Sequence, residues 1–214
     1  MVQTDWGYTL TTENTLPDIL SVADFNTMTA NKYSTDSRVA TTLKSVSSAI
    51  RTYCGWHLVG NCACRAQFTM DDLHIVRNGR DVDIRLPVAY VTGVSHIYFG
   101  ATQSEGVWTG QEFYFSFKNN GVIRVYNVPQ MFERYALVVV EFTAGLSDDL
   151  SMGIKSIVAQ RTAHTLSAPI GVTSEQAGGV SISYSASFAN GARANALMTD
   201  DKEMLQTYRV TELL

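Results

Sequence analysis

The sequence predicts an α+β fold: a small bundle of N-terminal, central and C-terminal helices with an antiparallel β-sheet or sandwich inserted between them. Three observations carry this. In 36–56 the apolar residues Val39, Leu43, Val46, Ile50 and Tyr53 recur at alternating spacings of four and three, and a similar pattern returns after Leu150; such spacing lines one face of a helix. Between Cys64 and Phe142 the period drops to two, in runs rich in β-branched and aromatic residues, which is how strands read. The breaks between those runs carry turn chemistry, at Asn78-Gly79, Gly100 to Gly106 and Asn119-Asn120-Gly121. Pro87 and Pro129 suit strand ends better than central positions.

Taken in order, residues 1 to 20 are polar, but Trp6, Tyr8 and Leu10 alternate. They read either as an arm ordered by a partner or as a strand on the edge of the chain's own sheet. Ser21 to Met28 is a short helix opened by Ser-x-x-Asp, which can cap its own first turn. The organising helix runs from Asp36 to Trp56, with Asp36 or Ser37 as cap and Gly55 placed for a left-handed stop. Lys44 and Arg51 lie off its stripe. Small residues (Ala40, Ser45, Ser47, Ser48 and Ala49) sit between the stripe positions and let another backbone approach closely.

Expected strands are Arg65 to Thr69, His74 to Val76, Val82 to Leu86, Val91 to Phe99, Val107 to Phe117, Val122 to Tyr126 and Ala136 to Phe142. About seven strands on hairpin-length connections imply an antiparallel sheet, sandwich or partial barrel. Phe113, Phe115 and Phe117 would line one face, chiefly as core, with Tyr114 on the other. A second long helix starts at Asp148-Asp149, carries Leu150, Ile154, Ile157, Val158, Arg161 and Leu166, and ends before Ala168-Pro169. Ser167 to Ala196 is Ser-, Ala- and Gly-rich around one strand-like piece, Val180 to Phe188. Thr199-Asp200-Asp201 caps a last helix with Met204, Leu205 and Tyr208 on one face. The organisation is thus 1–63 as N-terminal arm and core helices, 64–145 as inserted β domain, and 146–214 as core helix, loose segment and C-terminal docking helix.

Several function classes recede on composition. A formal charge of -4 argues against a dedicated nucleic-acid-binding surface. No apolar run approaches the roughly 20 residues needed to span a bilayer, and the start lacks a secretory pattern, so a membrane partner is not expected. Cys54, His57, Cys62 and Cys64 fall within eleven residues and could be imagined around zinc. The spacing is poor for it, since Cys62-x-Cys64 is read as aiming its thiols at opposite faces of a strand. Buried free thiols and a surface His57 are the expectation, with no metal and no cofactor. His57, His74, His96 and His164 are scattered without a nucleophile motif, and the paired carboxylates at 148–149 and 200–201 stand at helix starts, where the helix dipole favours them. No catalytic residues are therefore assigned. A binding alternative is a carbohydrate or ligand platform built from Tyr98, Trp108 and Tyr114.

A resemblance adds a specific reading. Ser21-Val22-Ala23-Asp24-Phe25, followed by a long helix closing on Tyr53-Cys54-Gly55, resembles the N-terminal part of the tailed-phage head-tail connector family, also called adaptor or head-completion proteins. Ser174-Glu175, then Gly178 to Tyr184, then a helix closing on Leu205-Gln206-Thr207-Tyr208-Arg209 resembles the end of its longer members. Together these cover about half the chain, with the strand region reading as an insertion. The resemblance implies a structural virion protein of the phage neck, assembled in the host cytoplasm. It implies a ring, dodecameric in this family, that docks under the portal protein, extends the DNA channel and presents a surface to the stopper or tail-completion protein. Genome DNA would pass without specific binding. On this reading Ser45, Ser48 and Ala49 contribute one interface, and Met204, Leu205, Tyr208 and Arg209 contribute the sticky end of a loose C-terminal arm that reaches a portal or adaptor neighbour.

Overall fold

The computed structural model describes residues 1–130, 137–167 and 197–210, and the backbone of 174–177 and 180–183. The chain forms two compact units: Met1–Pro17, Gly55–Asp148 and Tyr208–Leu214 make the first, and Asp18–Cys54 with Asp149–Thr207 the second. The expected α+β class is what the structure has, four helices with two larger antiparallel sheets among the described residues.

The first unit holds ten strands: β1 (Val2–Gln3), β2 (Tyr8–Leu10), β3 (Cys62–Thr69), β4 (Ile75–Asn78), β5 (Asp81–Arg85), β6 (Val91–Ser104), β7 (Val107–Gln111), β8 (Phe115–Phe117), β9 (Val122–Val125) and β10 (Leu137–Ala144). Six of them pair in the order β1-β2-β3-β10-β6-β7, and four in the order β4-β5-β9-β8. Alternation in the sequence becomes alternation in burial. β3 buries Cys62, Cys64, Ala66 and Phe68, while the facing positions of β10 bury Val138, Val140, Phe142 and Ala144. In the smaller sheet Val82, Ile84, Ile123 and Val125 are fully buried. Residues 1 to 20 resolve towards the strand reading, because Tyr8 and Leu10 pair with Ala66 and Cys64 and both are buried.

Two strand expectations change. The run from Val107 to Phe117 is two strands in different sheets, β7 in the larger and β8 in the smaller, with the chain crossing at Glu112 to Tyr114. Phe113 therefore does not continue a ladder with Phe115 and Phe117; its ring packs edge-on against Phe99 at 5.4 Å. β6 runs five residues beyond Phe99, to Ser104, past a register shift between Phe99 and Thr102. Where β10 leaves the sheet, Gly145 has φ +134°, and a Cβ there would run into the Gly60 carbonyl, so only glycine lets the two backbones meet.

The second unit holds α1 (Val22–Met28), α2 (Val39–Cys54), α3 (Asp148–Ser167, from Asp149 onward), α4 (Thr199–Leu205) and a hairpin of β11 (Ser174–Ala177) with β12 (Val180–Ser183). The one strand expected at Val180 to Phe188 is thus half of a pair, and its residues beyond Ser183 lie outside the described ones. Ser21 caps α1 by accepting from the Asp24 amide. α2 begins at Val39, because Asp36 spends its carboxylate on the Arg38 amide and guanidinium and the first helical bond runs from Thr42 N–H to the Arg38 carbonyl. Its stripe is buried at Val39, Leu43, Val46 and Ile50, and Gly55 ends the run at φ +77°. Arg51, off the stripe by spacing, is nonetheless buried. On α3 the buried line is Ser151, Ile154, Val158 and Thr162, joined by Ile157 and Leu166. Leu150 lies one residue off that line and is exposed.

Candidate assembly surface

The expected interface residues fall on α2 and at the chain's C-terminal end. On α2, Ser48 is exposed and Ser45 and Ala49 are half-buried. α4 lies beside α2: the Tyr53 hydroxyl donates to the Lys202 carbonyl at 3.2 Å and to Gln206 Oε1 at 3.1 Å. It is also fastened to α3. Arg161 Nη2 donates to Asp201 Oδ1 at 2.9 Å, and Arg161 Nε stands 2.6 Å from Oδ2, close enough for an ion pair though off line for a hydrogen bond. Asp201 Oδ2 also accepts from the Met198 amide at 2.9 Å, closing the helix start. Both charged side chains are nearly out of water, 11% and 6% exposed, so each depends on the other for its stabilisation.

This geometry divides the apolar face expected to be sticky. Leu205 is fully buried within the chain's own unit, because one turn of helix has its apolar side chain, its carboxylate and its backbone all engaged. Met204 does not share that face; it is 58% exposed. Tyr208 and Arg209 are half-buried, and the Tyr208 carbonyl accepts from the Trp56 indole at 2.7 Å. The outward-facing remainder of the expected set is thus Ser48 and Met204, with Ser45, Ala49, Tyr208 and Arg209 partly covered. The segment 168–196, expected to swing, lies outside the described residues apart from its hairpin backbone.

The Cys/His cluster resolves into core. Residues two apart on a strand share a face, so Cys62 and Cys64 point the same way, inward, and the expectation of opposite faces was in error. His57 is fully buried rather than on the surface. Its Nε2 lies 3.0 Å from the Ala144 carbonyl and its Nδ1 2.7 Å from the Tyr8 hydroxyl, which also accepts from the His57 amide at 3.0 Å. A carbonyl only accepts, so Nε2 carries the proton and Nδ1 receives the Tyr8 hydrogen. The imidazole ties β2, the chain after α2 and the end of β10 together. Burial, followed by the neighbouring Cys62, pushes the Cys64 thiol up to about 12, so it stays protonated and unreactive. Among the described residues no group of three or more His, Cys, Asp or Glu side chains could hold a metal ion.

The three residues of the alternative aromatic platform each have partners of their own. Tyr98 stacks on His96 at 5.6 Å, and Trp108 lies under the Arg65 guanidinium at 5.9 Å. Arg65 is in turn paired with Glu141 at 2.7 Å. Burial, then Glu141 and Glu112, raises the Tyr98 hydroxyl above the usual phenol range. Tyr114 belongs with the smaller sheet instead, tilted against Tyr126 at 5.7 Å.

The family model described as Head completion protein matches residues 18–209. The chain belongs to the head completion protein family. A search of curated proteins finds none that matches it. Membership makes it a structural protein of phage head completion and a component of the virion. The match of this head completion protein begins just before α1 and runs through the strand region to Arg209, leaving β1 and β2 outside it. No helix among the described residues is long and apolar enough to cross a membrane.

Sequence reasoning missed the Arg161–Asp201 pair and the His57 tie. By sequence Arg161 reads as part of a helix stripe and Asp201 as part of a helix cap, and 40 residues separate them. The only sequence signal was an arginine at a position where α3 otherwise buries small or apolar side chains.

Proposed function

We propose that this protein forms a ring beneath the portal protein of the filled head, extends the DNA channel, and offers its far side to the stopper or tail-completion protein. The observation that carries the reading is the family match over residues 18–209. The ring is proposed to be dodecameric, to form in the host cytoplasm, and to let the genome slide past without specific binding, in keeping with a net charge of -4. A ring needs two different patches on each subunit, joined head to tail with a rotation that closes. The outer face of α2 around Ser48 and Ala49, and the exposed Met204 of α4, are proposed as one such patch. Electron microscopy of the purified protein mixed with portal tests this. Rings stacked on the portal are expected, and Ala49→Leu, which overpacks a close contact, should weaken them. Absence of the protein from isolated necks, or necks that assemble normally without it, would refute the reading.

A further inference from the structure

The first unit is divided in charge. The smaller sheet and its connections, residues 74–91 and 113–130, carry Arg77, Arg80, Arg85, Lys118 and Arg124 against only Asp81 and Asp83, on a chain whose total is -4. Both carboxylates are occupied locally. Asp83 accepts a forked pair of hydrogen bonds from Arg124, each 2.7 Å, and Asp81 accepts from the Asn127 amide. Among the described residues Arg80, Arg85 and Lys118 have no salt-bridge partner, and all three are exposed. In the rest of the unit carboxylates outnumber cations. The β6–β7 hairpin carries Glu105 in its turn, and Glu112 just past β7 contacts His96 Nδ1 at 2.8 Å while its side chain stays exposed.

Each sheet also ends in an open strand. Among the described residues β7 pairs only with β6 and β8 only with β9. β7 reads Val-Trp-Thr-Gly-Gln, without charge or proline, and its Val107 is 62% exposed. β8 is Phe-Ser-Phe, flanked by Tyr114, which is 79% exposed, and by Lys118. Natural proteins usually guard such edges with charge or proline within the strand, because the free N–H and C=O groups invite another strand. Here the guards are absent within both strands, and the flanking charges are opposite.

Building on the ring reading, we infer that β7 of one copy pairs with β8 of the next, with Glu105 and Glu112 facing the Arg85 and Lys118 side of its neighbour. The contact uses two different edges, so it is heterologous and can repeat around a ring. DNA suits the basic edge less well. The β8 strand itself carries no cation, and exposed Phe117 and Tyr114 beside an open backbone edge match the β-addition mode of protein recognition.

The test uses two reversed full-length chains, Glu105→Lys/Glu112→Lys and Arg85→Glu/Lys118→Glu, compared with the natural chain by sedimentation velocity at low and high salt. The natural chain should self-associate, less so at high salt. Each reversed chain alone should associate about tenfold more weakly or worse, a change of about 1.4 kcal/mol. Mixed together, the two should associate again, since the basic hairpin of one meets the acidic sheet of the other; recovery on mixing also shows that both are folded. The inference is overturned by a natural chain that stays monomeric to its solubility limit. Reversed chains that associate like the natural one, or a mixture that does not recover, overturn it as well. So does a duplex affinity at physiological salt that is lost in Arg85→Glu/Lys118→Glu. Unchanged rings on the portal in both reversed chains would remove this contact while leaving the ring reading standing.

Discussion

Replacing Asp201 by Asn keeps the shape of the side chain but removes the charge that Arg161 faces. In the native unit the two groups are 6% and 11% exposed, with contacts of 2.6 and 2.9 Å. Removing one partner of a buried pair leaves the other charge uncompensated and costs about 3 to 5 kcal/mol. The low end applies here, because Arg161 keeps a little solvent and the Asn oxygen can still accept from the Met198 amide. A loss of about 3 kcal/mol corresponds to a fall of about 6 to 12 °C in the melting temperature of a chain this size. The loss should be local first. α4 hangs on Asp201, Leu205 and the Tyr53 bonds, so hydrogen exchange across Thr199–Leu205 should accelerate before the sheets respond. The double replacement Arg161→Met/Asp201→Leu, apolar on both sides, should recover most of the stability. Denaturant unfolding of all three chains together with exchange mass spectrometry reads these outcomes. A loss under about 1 kcal/mol in Asp201→Asn, or unchanged protection of α4, would refute the claim that this pair holds the C-terminal helix on its own bundle.

Tyr8→Phe removes the hydroxyl that serves His57 Nδ1 and the His57 amide, and should cost about 1 to 3 kcal/mol in urea unfolding, whereas Tyr114→Phe on the exposed edge should cost nothing measurable. The three buried cysteines should resist a thiol reagent in the folded protein and all react once it is unfolded; rapid modification of Cys64 at pH 8 would contradict its raised thiol pKa. The Arg124 hydrogen bonds hold the Asp83 carboxyl below the usual carboxylate range, with burial working against them. A carboxylate of depressed pKa contributes stability above its unfolded value, near about 4, and loses it as pH falls through the folded value. The stability gap between the natural chain and Arg124→Gln should therefore be constant near neutrality and shrink in acid; a gap that widens below about pH 4 would contradict the assignment.

The residues alone carried the elements far because each period is a direct consequence of local geometry. Val39, Leu43, Val46 and Ile50 can bury together only on a helix, and the alternation from Arg65 to Thr69 fits only a strand, so α2, α3 and most strands of the first unit were legible without any tertiary knowledge, although the start of β3 at Cys62 was not. The phage family was legible too, from short local motifs around α1, the end of α2 and the last helix. Where local pattern competes with long-range pairing, it could not decide. Tyr8 and Leu10 alternate the same way in a free arm and in a sheet, and only pairing with β3 chose between them. Val107 to Phe117 alternates through a point where the chain changes sheets, because two strands in one period look like one strand until their partners are known. His57 belongs to the core because Tyr8 and Ala144, 49 and 87 residues away, supply its hydrogen bonds. Arg161 can stay charged in a nearly dry site because Asp201, 40 residues on, meets it there. A partner distant in sequence leaves no mark on local periodicity, so only the tertiary structure shows Asp201 and Leu205 of the last helix engaged with the chain's own second unit.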